Sequence, residues 1–591
     1  MRKKTFVVCT NIEKLKPNLK FNNIIIPVVS AIKNSEDKKL YRPEFDYINN
    51  YYSNKKLVIK DAIYLNDFYE YILKKLSSIL NKIHKEKNSI KFWRILIGPW
   101  LGMFMHIYYS KWNTVNLLNK KKVNFYINFI NTEEDSNVPL HTQDFRDLSK
   151  QEIWNQILYQ KIFLHFISKK RIKKINIKYD KKIINSKSFS KKAKIINFFA
   201  RIFYNLRLWK FNNYFIINSY LGHYKELILN LKLFQLPVFN LSNSYKIDNL
   251  NYNAKLRSQI KLFLKKNKKV NKRFEKDFIE DLVTEIPYFF LENYKLLKKN
   301  YNKLHYPKKP KLIFSSNFMR DILLSFYIGK KVEDGSKLIM GQHGGIYGTS
   351  LYSWFEKHEL KISDKYLNWG WSNKKFKKKI IKTGVLLELK NIKWNEQNKD
   401  ILVILKRRKK YFTSFVSGDS TESYLQYINH YNNFLKKIPS NLKKKIILRY
   451  PPGINNMNLE DCCNIVGKDY KFYNKGSLFK SMENSKLVVN TFDSTPFLVA
   501  MALNFPNIIL WNLSTNPIKD TNLFNKLYKS KILHFSPESA AKFISSLVEK
   551  NEVGKWWFSE KTQEIRVSFC RIYAKKNHNL LGDIIKNFNK K

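Results

Sequence analysis

Residues 337–371 read KLIMGQHGGIYGTSLYSWFEKHELKISDKYLNWGW. The opening "KLIM" is short and apolar, as a buried strand is, and Gly341 ends it. The turn Gln342-His343-Gly344-Gly345 then sets a histidine among glycines. Consecutive glycines permit positive φ and let backbone N–H groups approach a ligand closely. Ser353 and Glu356 stand in the form of a capping box, so a short helix starts there. "KYLNWG" is the next strand, which completes a βαβ unit whose glycine turn lies at a strand's carboxyl end.

The same rhythm extends outward. "KLIFSS" from Lys311 reads as a strand and "FMRDILLSFYIGKK" as a helix. A second series begins at Asp400 with "DILVIL", a helix over 421–437, the strand "KKIILRY", a helix near 477–484 and "KLVVNTF". Helix "PFLVAMALN" and strand "PNIILWN" follow. Near the start, "KTFVVCT" reads as a strand and 61–88 as a helix. The fold class is therefore α/β, with two Rossmann-like, doubly wound domains facing a cleft. The expected layout is an N-terminal domain over 1–386 with a helical insertion at about 110–300, a hinge at 387–399, and a nucleotide-side domain with C-terminal helices over 400–591.

An apolar fraction of 44% with 15% aromatics across 591 residues excludes wholesale disorder. Net charge is +62, from 109 basic and 47 acidic residues. Such a field attracts phosphate in nucleic acid, anionic lipid or a nucleotide-linked substrate. The lysines are spread along the whole chain and no RNP1 pattern occurs, so no nucleic-acid partner is expected. Cys9, Cys462, Cys463 and Cys570 form no CxxC pair, which suits a reducing compartment. The apolar run after the basic start is too short for a signal peptide. "FWRILIGPWLGMFMHIYY" from Phe92 carries Arg94 and His106, so it reads as a buried helix opened by Pro99. The expected location is the cytoplasm, with a peripheral contact on anionic membrane at the inner face.

Three clusters of chemically capable residues fall on strand ends. In the glycine turn, His343 beside an acceptor hydroxyl suits a general base; a structural turn with a hydrogen-bonded histidine fits as well. Glu356 and Glu359 share a helical face, and with Asp364 they either serve His343 and sugar hydroxyls or are surface charges. Trp371 reads as packing. In the second cluster, strand "LVVN" runs into Asp493-Ser494-Thr495, and Pro496 suits the first helical position. A helix N-terminus there suits a phosphate, whether or not Ser494 or Thr495 also caps it. In the third, Arg449 closes a strand, where a guanidinium grips a diphosphate or pairs with the neighbouring domain. No Asp-x-Asp occurs, so no metal clamp is expected, and without a Walker A, G-x-G-x-x-G or G-x-S-x-G pattern the kinase-, dehydrogenase- and hydrolase-like readings lose their main support.

"FWRILIGPWLG", "GQHGGIYG", "HELKISDKYLNWGW", "STPFLVAMALNFPNIILWN" and "PESAAKFI" together resemble a bacterial transferase family first described in spirochaetes, among surface-polysaccharide and nonulosonic-acid genes. The resemblance runs from the N-terminal strand to Trp556-Trp557. It implies a GT-B-like glycosyltransferase, more distantly similar to capsule and teichoic-acid polymerases, in which a His-Gly turn activates the acceptor. It implies a central site at Gln342, His343, Gly344, Gly345, Tyr347 and Gly348; Glu359 and Asp364, from the reading of the acids above, join Gln342 and His343 as the expected catalytic residues. Arg449, Asp493, Ser494 and Thr495 fall on the donor side, and Arg94, Gly98, Pro99 and Trp100 on the N-terminal half of the cleft. Val499-Ala500 replaces an expected Leu-Glu pair, whose acid holds ribose or sugar hydroxyls in GT-B enzymes. The co-substrate implied is a CMP- or UDP-linked sugar, with no cofactor or metal, and the acceptor is a glycan or a lipid-linked glycan. Polyol-phosphate transfer and a non-catalytic glycan-assembly role are the alternatives.

Overall fold

Among the described residues three all-parallel sheets organise the fold, formed where short β-branched and aromatic runs pair and helices cover them. The computed structural model describes residues 5–10, 23–25, 27, 54–120, 125–130, 135, 137–167, 172–175, 198, 201–238, 250–266, 270–406, 411, 421–449, 470–473, 476–511 and 519–589. In the first sheet β1 (Thr5–Val7), β2 (Asn23–Ile25), β3 (Phe125–Ile130) and β4 (Ile172–Ile175) take the order β2-β1-β3-β4. Helices α1 (Lys55–His84), α2 (Ile90–Leu96) and α3 (Gly98–Lys120) lie between β2 and β3, and α4 (Thr142–Leu148) follows β3. Pro99 sits in the first turn of α3, where its missing N–H costs nothing, and α3 is buried on nearly every side.

The second sheet runs in chain order: β5 (Tyr214–Ile216), β6 (Leu312–Ser315), β7 (Lys337–Gly341), β8 (Lys365–Asn368) and β9 (Ile380–Lys382). Its helices include α5 (His223–Lys232), α6 (Ile322–Glu333) and α7 (Trp354–Ile362). The third sheet holds β10 (Asp400–Ile404), β11 (Ile446–Arg449), β12 (Lys471–Phe472), β13 (Ser485–Asn490), β14 (Asn507–Leu510) and β15 (Leu533–His534) in the order β12-β11-β10-β13-β14-β15. Helix α8 (Thr495–Ala502) joins β13 to β14. Strand order reverses at β10, so the crevice beyond the ends of β10 and β13 is where such a sheet receives ligands.

The second and third sheets are the two Rossmann-like layers expected. The first sheet is a departure, because residues 110–300 contain β3, β4 and β5 and are not simply a helical insertion. "FYINFI" and "YFI" are short runs among lysines and asparagines, and pairing with β1 and β6 makes them strands where local pattern does not. The C-terminal helices also depart from the third sheet. Leu580, Ile584 and Phe588 form one stripe of α10 (Leu580–Asn589), after α9 (Glu560–Tyr573), and pack with Ile216, Phe314 and Ile339 of the second sheet. Lys575 N–H donates to Trp369 O at 3.0 Å, which fixes this return beside the Trp-Gly-Trp segment.

Helix α3 meets α7 across Gly102, where a Cβ would stand 1.9 Å from the Trp354 ring. That approach ties the N-terminal helices to the helix that follows the glycine turn. Cys9 and Cys570 are buried free thiols, and Cys462 and Cys463 lie outside the described residues. Among the described residues no helix is long and apolar enough to cross a membrane.

Candidate active site

The glycine turn begins where β7 ends, and Gln342 fixes its course. This side chain is fully buried. Its Oε1 accepts from Trp369 N–H at 3.1 Å and from the Trp371 indole N–H at 2.8 Å, while its Nε2 donates to Gly344 O at 2.8 Å. Gln342 thus clamps the turn to the next strand end from a fully buried position. Trp371 is packing, as its sequence suggests, and Gly348 (φ +77°) closes over it where a Cβ would be 2.3 Å away.

His343 faces the cleft with a quarter of its side chain exposed, 25%. Its Nε2 lies 3.3 Å from Tyr347 Oη, and its Nδ1 lies 3.7 Å from Glu359 Oε1. Tyr347 and Tyr366 each place a hydroxyl 2.8 Å from Glu359. Burial pushes the Glu359 carboxyl up to about 8, despite both hydroxyls. Burial, aided by the Arg320 cation, brings His343 down to about 4. Near neutral pH the histidine is therefore unprotonated and the carboxyl protonated, so their contact is not an ion pair.

The opposite wall comes from the third sheet. Gly345 N–H donates to Thr495 Oγ1 at 2.8 Å, and Thr349 Oγ1 donates to Asp493 Oδ2 at 2.9 Å. A Cβ on Gly345 would stand 2.7 Å from Ser494 C and Thr495 N, so only glycine permits this seam. Ser494 occupies the N-cap of α8 but makes no cap bond, and its hydroxyl is buried without a partner among the described residues. A buried hydroxyl left open at a helix N-terminus suits an anion. His343, Gly344, Gly345, Tyr347 and Glu359 line one side of a cleft of about 460 Å³, and Asp493, Ser494 and Thr495 line the other.

Several expected site residues lie elsewhere. Asp364 bonds Lys91 at 2.8 Å and accepts from Leu338 N–H at 2.8 Å, at the far end of β7. Arg449 donates to Gly476 O at 2.7 Å and Ser481 Oγ at 2.9 Å, away from the cleft lining. Arg94 is held bidentate by Glu70 at 2.7 and 2.6 Å. Gly98 packs against Tyr69 and His358, and Trp100 is in the core; of that segment only Pro99 reaches the cleft. Ala500 is fully buried in a cluster with Ile404 and Val488, so this register does not present an acid to a sugar. Sequence reading missed Arg146, on α4, and Arg320, which precedes α6; both line the cleft. Their signal was rarity, for the chain has 15 arginines against 94 lysines.

A family model described as "LIC12162 family transferase" matches residues 5–588. No curated protein matches the chain. Among solved structures, a UDP-N-acetylglucosamine 2-epimerase from Listeria monocytogenes is 11% identical, over 64% of this chain and 97% of its own, with a TM-score of 0.34. The Neisseria meningitidis UDP-GlcNAc 2-epimerase bound to UDP-GlcNAc is 11% identical over 64% and 99%, with a TM-score of 0.30. MurG of Acinetobacter baumannii is 8% identical over 64% and 100%, with a TM-score of 0.29. Likenesses at this level carry no inference about the chemistry.

The raised Glu359 carboxyl gives a stability signature. Its folded pKa of about 8 exceeds the ordinary 4.5, so the folded state keeps a proton that the unfolded chain has lost. The contribution is fully present below about pH 4.5 and declines as pH rises toward about 8. Glu359→Gln should flatten the fall in thermal midpoint across that window, measured by calorimetry. Parallel pH profiles for wild type and variant would contradict a buried, protonated Glu359.

Proposed function

The chain belongs to the LIC12162 family of transferases, and from that premise we propose that its cleft moves a sugar from a nucleotide donor to an acceptor hydroxyl during surface-glycan assembly. The observation that carries this reading is the facing of two chemistries across one seam. An unprotonated histidine positioned by Tyr347 stands on one side, and a helix N-terminus with an open Ser494 hydroxyl stands on the other. His343 takes the acceptor proton. The imidazolium so formed lies 3.7 Å from Glu359 Oε1, and its charge favours ionisation of that carboxyl. The α8 N–H groups and Ser494 receive the charge that develops on the departing CMP or UDP, with no metal in the step. His343→Ala should lower transfer by about a hundredfold or more and leave nucleotide-sugar binding intact, measured by product formation and calorimetry. Retention of wild-type turnover would remove the base from the account.

The acceptor side opens next to an exposed apolar surface. Tyr220 places its ring 5.6 Å from His343, and α5 starts three residues later. Tyr224, Leu227 and Leu231 are exposed along α5, and Phe234 beyond it is 94% exposed while held at φ +53°. A left-handed, solvent-facing phenylalanine gains nothing from its own fold. Phe211 belongs to the same surface, since Asn212 and Leu236 exchange hydrogen bonds at 2.7 and 3.2 Å. Lys210 lies over Phe211 at 4.7 Å, and Lys225 and Lys232 flank the α5 residues. This basic, apolar face suits an anionic bilayer that carries a lipid-linked acceptor. A second copy with the same charge of +62 would be repelled. Vesicles rich in phosphatidylglycerol should sediment the wild-type protein, and Leu231→Ser with Phe234→Ser should release it. Equal sedimentation of both proteins, or none of either, would remove the membrane surface.

A further inference from the structure

Arg146 and Arg320 are cations that the transfer step above does not use. Both line the cleft, on the wall that carries His343 and opposite the α8 N-terminus. Arg146 comes from α4, after the first sheet, and Arg320 from the turn that leads into α6 of the second. Neither makes an ion pair among the described residues; the polar contact of the Arg146 guanidinium is with Met103 Sδ at 3.9 Å. Asp493 lines the same cleft and accepts from Thr349 Oγ1, and three other carboxylates nearby have partners of their own. Asp147 pairs with Lys150 at 2.6 Å, Asp321 accepts from Leu324 N–H at 3.0 Å, and Glu359 receives Tyr347 and Tyr366.

The two guanidiniums share one cleft, Arg146 half-buried and Arg320 exposed. Burial first, and the Arg320 charge after it, draw Arg146 down to about 10, while the Asp147 charge opposes them. In a lysine-rich chain the use of arginine here also favours planar, two-point recognition of an oxyanion over general surface charge. The α8 N-terminus already offers a separate anion site on the facing wall.

We propose that Arg146 and Arg320 form a second anion subsite, which holds a carboxylate or phosphate of the substrate other than the nucleotide phosphate at α8. The inference rests on the transferase reading and narrows its substrate class. The bound pair of substrates carries anions at both walls of the cleft, the second one lying on the transferred sugar as a carboxylate or on the acceptor as a phosphate.

Two matched probe pairs separate these sources. UDP-glucuronate against UDP-glucose differs by a carboxylate on the sugar, and geranyl diphosphate against geraniol differs by the phosphates of an isoprenyl acceptor. Binding is measured by calorimetry for wild type, Arg146→Met and Arg320→Met, with UMP as the control for the α8 site. The anionic member of one pair should bind wild type about tenfold or more tightly than its neutral partner, and that preference should vanish in both variants while UMP binding stays unchanged. Dependence in the first pair assigns the anion to the donor sugar, and dependence in the second assigns it to the acceptor. Thermal midpoints provide a readout that a structural role would not share: removal of one cation relieves repulsion, so Arg146→Met should melt at or above wild type. If neither pair shows an arginine-dependent preference, or if Arg146→Met melts well below wild type, the subsite is overturned. Loss of UMP binding in wild type itself would instead count against the α8 nucleotide site, which keeps the two failures distinguishable.

Discussion

The site depends on a backbone contact. Gly345 presses against the first peptide of α8 so closely that a methyl group would stand 2.7 Å from Ser494 C and Thr495 N. Its N–H is satisfied by Thr495 Oγ1 at 2.8 Å, so the approach is paired as well as close. This constraint brings the carboxyl end of β7 against the carboxyl end of β13, with the cleft between them. The histidine and the helix N-terminus face each other because the glycine between them has no side chain. Gln342 supports the contact from behind by holding Gly344, the Trp369 backbone and the Trp371 indole through one amide.

Much of this was legible in the residues. The glycine turn after "KLIM", the Ser353 cap and Pro496 at the start of α8 are local signals, and Ser353 Oγ does accept from Glu356 N–H at 3.2 Å. Strand ends in a parallel sheet then direct attention to His343, Glu359 and Ser494. Local signals could not say which way Gln342 faces, because its partners Trp369 and Trp371 lie beyond an intervening helix. Asp364, Arg449 and Arg94 are charged residues in suggestive segments, yet each has a partner on the far side of its own element. Arg146 and Arg320 sit in unremarkable segments and meet only through the packing of the first sheet's helices against the second sheet. The strands β3, β4 and β5 were hidden for the same reason, since their partners are remote in sequence.

The electrostatics of the cleft run against stability. A neutral histidine, a protonated glutamate, an open serine hydroxyl and a half-buried Arg146 with no ion pair among the described residues are arrangements that folding alone would replace with apolar packing. Their concentration around one cavity, while Arg94, Arg257 and Asp364 elsewhere are paired, is the physical contrast behind the proposed site. The surplus of lysine across the chain adds a field that favours anionic ligands at long range, and the cleft supplies the local geometry.

The most direct measurement is calorimetric binding of a panel of CMP-, UDP-, GDP- and CDP-linked sugars to wild type and Ser494→Ala. The account predicts that at least one nucleotide sugar binds and that loss of the Ser494 hydroxyl weakens it by about tenfold, since a buried charge-assisted hydrogen bond is removed without a change in the core. Binding that Ser494→Ala leaves unchanged, or no binding by any member of the panel, would contradict a nucleotide held at the start of α8.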